Sequence, residues 1–285
     1  MASEPLDRVF EDSPVPEYPS FEAIQVGVDD GIAVVTLGAD PDRPNPTTTM
    51  TPELLQFFRI VRDDPTVRAI VIVGRGKVFS AGGDVKVMGE RSKRMDPSVN
   101  PAWVKRLPVD RATDFMTALL EVDVPVVAAV NGHAVGAGLR IAMLCDYVVV
   151  ADDAKVGDPH VKRGLVAPQA VLLGELIGAR RARSLVLTGR LLRGEEVVEW
   201  GLADEAAPRD EVLDRALAQA AQLAELPPLA FRWTKRALNN RVKAAVAQYA
   251  SEGYALESLT MLSTDHAEAA ASFAEKRDPR PYEGR

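Results

Sequence analysis

The sequence predicts an α/β fold, and three observations carry that expectation. Short apolar runs rich in β-branched residues, such as Ile32 to Leu37, Ala69 to Val73 and Pro125 to Val130, have the length and composition of buried strands. Segments with helical spacing of apolar residues lie between them, and glycine-bearing turns join the two kinds of element. Strands that alternate with helices imply crossover units and stacked sheets.

In chain order, Met1 to Ser20 carries Pro5, Pro14, Pro16 and Pro19 among scattered acids and is expected to be a mobile arm. Phe21 to Val28 and Ile32 to Leu37, separated by Asp29-Asp30-Gly31, form a β-hairpin pattern. Thr51 is the expected cap of a helix with Pro52 at its first position, running to Val61. After the strand at Ala69 to Val73, GRGKVFSAGGDV makes a small-residue turn. Glu90 to Pro108 is charged and proline-punctuated, a loop pattern, and Asp110 to Leu120 reads as an amphipathic helix. Beyond Gly164 helices are expected at Arg181 to Thr188, Glu195 to Trp200, Asp210 to Leu223, Leu229 to Asn240, Val242 to Leu262 and Asp265 to Lys276. The division that follows is an arm over 1–20, a core over 21–208 and a helical region over 209–285.

Composition narrows the function. The 285 residues are 47% hydrophobic and 26% charged, ordinary for a globular chain. Thirty-four Lys and Arg against 41 Asp and Glu give a net charge of −7, which argues against nucleic acid as a partner. Cys145 is the single cysteine, so no intramolecular disulfide or thiolate cluster can form. With His133, His160 and His266 scattered, no metal site is expected. No apolar run reaches the ~18 residues that span a bilayer, and a cytoplasmic protein without a membrane partner is the expectation.

The stretch Pro125 to Gly164, PVVAAVNGHAVGAGLRIAMLCDYVVVADDAKVGDPHVKRG, is where a site is expected. Gly132, Gly136 and Gly138 punctuate a turn, and Leu139 to Cys145 returns at helical spacing. A helix that starts among glycines offers unpaired N–H groups and the positive end of its dipole to an anion or a developing oxyanion. Tight strand-to-helix packing is the alternative use of such glycines. The spacing matches neither a dinucleotide nor a phosphate loop.

VFSAGGDVKVM at Val78 to Met88, the stretch Pro125 to Gly164, LTGRLLRGEEVVEWGLADE at Leu187 to Glu205 and FAEKRDPRP near the end resemble, in that order, the crotonase superfamily of enoyl-CoA hydratases and isomerases. The resemblance implies a crotonase-like spiral of repeated ββα units with a helical C-terminal trimerisation region, assembled as homotrimers or pairs of trimers. It implies an acyl-CoA substrate, with coenzyme A as part of that substrate and no separate cofactor. The thioester oxygen would lie between the backbone N–H groups of Gly83 and Ala137. Arg43, Asn45 and Pro46, together with Ser80, Ala81, Gly82 and Gly136, would line the substrate groove, and Lys276 and Arg277 would meet its phosphates.

Hydratases of this family carry two glutamates where this chain has Arg140 and His160. Adding water to a conjugated thioester needs a base and an acid, and an arginine serves as neither. His160 titrates near neutrality and can be either. Asp158 would orient its ring from an extended segment, although Pro159 opposes that geometry. Arg140 would hold a substrate carboxylate or second oxygen, or else turn outward to an acid. His133 reads as a loop histidine, and Glu175 is a lesser candidate for a replacement carboxylate. The segment GLVAPQAVLLGELIG also lacks the PGAGG of many relatives. Three readings follow: an enoyl-CoA hydratase or isomerase using His160, a carbon–carbon bond hydrolase of β-diketones by the same oxyanion logic, and a non-catalytic acyl-CoA binder.

Overall fold

Asp30 and Gly31 adopt positive φ values of 45° and 74°, the turn that lets two strands reverse without splaying. They join β1 (Ile24–Asp29) to β2 (Ile32–Leu37), which pair antiparallel from Ile24 opposite Leu37 to Asp29 opposite Ile32. The computed structural model describes residues 15–38, 47–83 and 109–285. The expected loop from Glu90 to Pro108, like Arg43, Asn45 and Pro46, lies outside them.

Parallel strands β3 (Ala69–Gly74), β5 (Val126–Val130), β7 (Tyr147–Ala151) and β10 (Glu205–Ala207) extend the hairpin into a six-stranded sheet of order β1-β2-β3-β5-β7-β10. Every residue of β3 and β5 is buried, which explains why they read as unbroken apolar runs rather than alternating ones. A second sheet, β4-β6-β8-β9, is built from three-residue strands: β4 (Val78–Ser80), β6 (His133–Val135), β8 (Lys155–Gly157) and β9 (Leu191–Arg193). The mixed α/β architecture with stacked, largely parallel sheets agrees with the expectation.

Helix α1 (Thr47–Val61) begins four residues before the expected cap, so Pro52 sits inside it and forfeits one backbone bond. Next come α2 (Val109–Leu120), α3 (Ala137–Met143), α4 (Ala170–Ile177), α5 (Ala179–Thr188), α6 (Gly194–Glu199) and α7 (Val212–Ala224). Val212, Ala216 and Ala220 of α7 are buried in the same core as the six-stranded sheet. The two helices expected between Leu229 and Leu262 are one, α8 (Pro228–Thr260), of 33 residues. Asn239 and Asn240 do not interrupt it, because Asn239 turns its amide to the Leu120 carbonyl at 3.0 Å instead of competing for the helix's own backbone. Helix α9 (Thr264–Glu275) closes the chain, capped by Ser263, whose Oγ accepts the His266 N–H.

Near the N-terminus Tyr18 packs on Phe57, with ring centroids 5.7 Å apart, and donates to Asp64 at 2.7 Å. Helix α8 is anchored where Lys235, 6% exposed, bonds Asp146 at 2.5 Å and the Val124 carbonyl at 2.8 Å. No helix among the described residues is long and apolar enough to cross a membrane.

Candidate active site

Three neighbouring parallel strands, β4, β6 and β8, all end at one place, and loops beyond the carboxyl ends of parallel strands are where such sheets present their chemistry. Strand β4 runs into Ala81-Gly82-Gly83, β6 into Gly136-Ala137 and helix α3, and β8 into Asp158-Pro159-His160. The first two turns are in contact. A side chain on Gly138 would lie 2.4 Å from the Ser80 carbonyl oxygen, and one on Gly82 would lie 2.8 Å from the Val135 carbonyl and 3.8 Å from the Ala137 nitrogen. The glycines therefore do let two backbones approach, and the approach brings the turn of Gly82 and Gly83 against the first N–H of α3, a group with no partner inside its helix.

Gly136 caps α3 with φ 56°, a conformation that favours glycine, and its amide bonds the Gly157 carbonyl at 2.9 Å. Its own carbonyl accepts from buried Gln169 Nε2 at 3.1 Å and from Arg140 N–H at 3.1 Å. The open face of Gly136 is covered by His160, whose Cε1 would be 3.2 Å from a β-carbon there. Ser80 is buried, Gly82 is buried, Gly83 and Ala137 are half-buried and Ala81 is exposed.

His160 starts a short 3-10 turn, His160–Arg163, instead of continuing an extended segment. Asp158 still reaches it, because an aspartate two residues before such a turn folds back as a cap. Its Oδ1 accepts from the His160 backbone N–H at 3.1 Å and also meets Nδ1 of the ring. Pro159 therefore does not prevent the pairing. The other ring nitrogen, Nε2, lies 3.5 Å from Glu257 Oε1 on α8. Burial disfavours charge on the imidazole, but Asp158 and then Glu257 outweigh it and hold the group well above the usual histidine range. The raised pKa favours the imidazolium form at neutral pH.

Arg140 turns inward. It is 6% exposed, donates from Nη1 to the Tyr254 hydroxyl, and sets its guanidinium carbon 5.7 Å from the ring centroids of both Phe115 and Tyr254. Its Nε is buried without a partner among the described residues, as is Oδ2 of Asp158. Burial pushes the Tyr254 phenol up, Arg140 opposes that and Glu257 reinforces it, so the phenol stays protonated. Tyr254 also walls a small crevice of about 10 Å³ shared with Met116, Gln169, Leu172 and Val246.

Other expected positions lie elsewhere. Glu175 pairs with Arg241 at 2.6 Å. His133 sits in β6 and accepts the Lys155 N–H at 3.0 Å. Burial first, then Lys155 and Arg209, hold its pKa below the ordinary value. Lys276 caps α9 in a left-handed conformation, and Arg277 is engaged by Glu268 and Glu275. The Cys145 thiol rests 3.3 Å from the Ile141 carbonyl, and burial pushes its pKa up.

Sequence reasoning missed Glu257, Tyr254 and Gln169. One signal for Glu257 was available: with Ala250, Tyr254 and Ser258 it occupies the buried stripe of α8, an unusual place for a carboxylate.

The mixed α/β fold, with largely parallel sheets and a helical C-terminal region, is that of the crotonase class. The enoyl-CoA hydratase/isomerase family profile matches residues 27–285, and the chain belongs to that family. It is 35% identical over 261 residues to a Thermus thermophilus protein provisionally named an enoyl-CoA hydratase, covering 90% of this chain and 99% of that one. It is 32% identical to carnitinyl-CoA dehydratase of Escherichia coli K12, over 80% and 86% of the two chains. The solved enoyl-CoA hydratase/isomerase from Mycobacterium paratuberculosis superposes with a TM-score of 0.79 at 33% identity, covering 88% and 98%.

Proposed function

We propose that the protein adds water to, or shifts the double bond of, an enoyl-CoA thioester through an enolate. The observation that carries this reading is the Asp158, His160 and Glu257 cluster beside Gly136, where the turns after β4 and β6 also meet.

Gly83 and Ala137 N–H groups would take the thioester oxygen, each donor contributing roughly 3 to 4 kcal/mol as negative charge develops there. In hydration, the Glu257 carboxylate removes a proton from water, whose oxygen bonds the β-carbon. The α-carbon of the resulting enolate takes the Nε2 proton of the His160 imidazolium. Glu257 is then protonated and His160 neutral, and the 3.5 Å contact between them lets the proton pass back and restore both. Asp158 holds the ring from Nδ1 throughout. Two carboxylates and one imidazole thus supply the acid and the base that Arg140 cannot.

The family resemblance also supports self-association as trimers. Leu229, Trp233, Leu238 and Leu259 leave large apolar surfaces exposed along α8, as a subunit contact would require. Light scattering of the purified chain tests it.

The activity is tested with crotonyl-CoA and longer enoyl-CoA thioesters, following loss of the conjugated-thioester absorbance beside His160→Ala. Turnover in the parent, lost by about a hundredfold or more in the variant with coenzyme A binding retained, supports the reading. Hydrolysis of cyclic 1,3-diketones without thioester turnover moves it to carbon–carbon cleavage. Saturable thioester binding with no turnover of either kind makes it a binder.

A further inference from the structure

Arg140 carries a permanent charge at 6% exposure, yet its partners among the described residues are a phenol hydroxyl and two aromatic faces. The carboxylates of its cluster, Asp158 and Glu257, are both turned to His160, and no ion pair joins either to the guanidinium. Its Nε is buried and unpartnered. A buried guanidinium without a carboxylate is costly, and natural proteins retain one where an anion completes it. We propose that the missing anion belongs to the substrate: the acyl group is dicarboxylic, and its free carboxylate pairs with Arg140.

This inference rests on the thioester reading above and names the substrate class. Position supports it. Arg140 stands three residues after Ala137 on the same short helix, so the proposed thioester site and the guanidinium belong to one element. Arginine's planar fork matches a carboxylate with two parallel bonds, and Nε is one of the donors such a pairing uses.

The test is calorimetric binding of glutaryl-CoA and pentanoyl-CoA, saturated thioesters of equal chain length that cannot be hydrated. The chain's net charge of −7 disfavours the added carboxylate at long range, so any preference for glutaryl-CoA is local. We expect the wild type to bind glutaryl-CoA at least about tenfold more tightly, Arg140→Met to reduce the preference to within about twofold, and Arg140→Lys to keep part of it. Equal affinity of the wild type for the two thioesters, which needs no variant to fold, overturns the inference and leaves the thioester reading standing. A preference that survives in Arg140→Met also overturns it. Binding of neither thioester overturns both.

Discussion

Glu257 and His160 stand 97 positions apart in the chain (257 − 160), and their side chains meet at 3.5 Å in a pocket where both are largely buried. That contact joins the loop after β8 to the long helix α8.

Glu257→Gln removes one of the two charges that hold the imidazolium. The His160 pKa then falls toward its ordinary value, and the loss of a proton donor with rising pH moves to lower pH. Turnover drops by roughly 10² to 10⁴, as expected for a lost general base. The pH dependence of kcat/KM measures both, and an unchanged profile would remove Glu257 from the chemistry.

Asp158→Asn tests the other side through stability. Because the folded-state pKa of His160 is raised, its contribution is full below the unfolded value of about 6.5 and is lost as pH climbs toward the folded value. The wild type should therefore lose stability above pH 6.5, by at most about 1.4 kcal/mol per pH unit for this one proton. In Asp158→Asn the decline ends at lower pH. Urea midpoints from pH 6 to 10 for both proteins decide it, and superimposable slopes would contradict the pairing.

Gly138→Ala puts a β-carbon 2.4 Å from the Ser80 carbonyl oxygen and so pushes the two turns apart. The expected result is a fall in kcat of about 10² to 10³, the usual loss when one oxyanion donor is displaced. Gly174→Ala is the control. It meets nothing within 4 Å and, lying inside α4, should add about 0.5 to 1 kcal/mol of stability with turnover unchanged. Equal activity in the two variants would mean that the contact between the turns does not shape the site.

Lys235→Met leaves Asp146 in a buried place where burial already pushes its carboxyl pKa up. Loss of one partner from such a pair costs about 3 to 5 kcal/mol, and adding Asp146→Asn should recover part of it. Chemical denaturation of the single and double variants reads this directly. A single variant within about 0.5 kcal/mol of wild type would show that the hold on α8 does not depend on this pair.

Much of this was legible in the chain because it depends on local rules. Asp29-Asp30-Gly31 announces its hairpin because few residues accept positive φ, and β3 and β5 announce burial on both faces by unbroken apolar runs. Strands β6, β8 and β9 were not legible, since three residues are too few to establish a period. Gly132 and Gly157 stand so close to neighbouring backbone that a β-carbon on either would clash with it, a tertiary requirement that no local pattern announces. Helix α8 was divided at Asn239 and Asn240 because asparagine disfavours helices locally, whereas here a tertiary hydrogen bond to Leu120 uses its amide. The family motifs pointed to His160, Asp158 and Arg140 as a group. Which way Arg140 faced, and what sat at Nε2 of His160, were decided by α8, whose sequence carries no motif.

The order in which the chain is made has a bearing on its chemistry. Asp158 and His160 leave the ribosome almost a hundred residues before Glu257, about 5 to 20 s earlier at ordinary rates of synthesis. During that interval the nascent protein can hold Asp158 and His160 but not Glu257. Competence for the proposed reaction therefore waits for Glu257, so nascent chains that stop short of it cannot act on a thioester by that route.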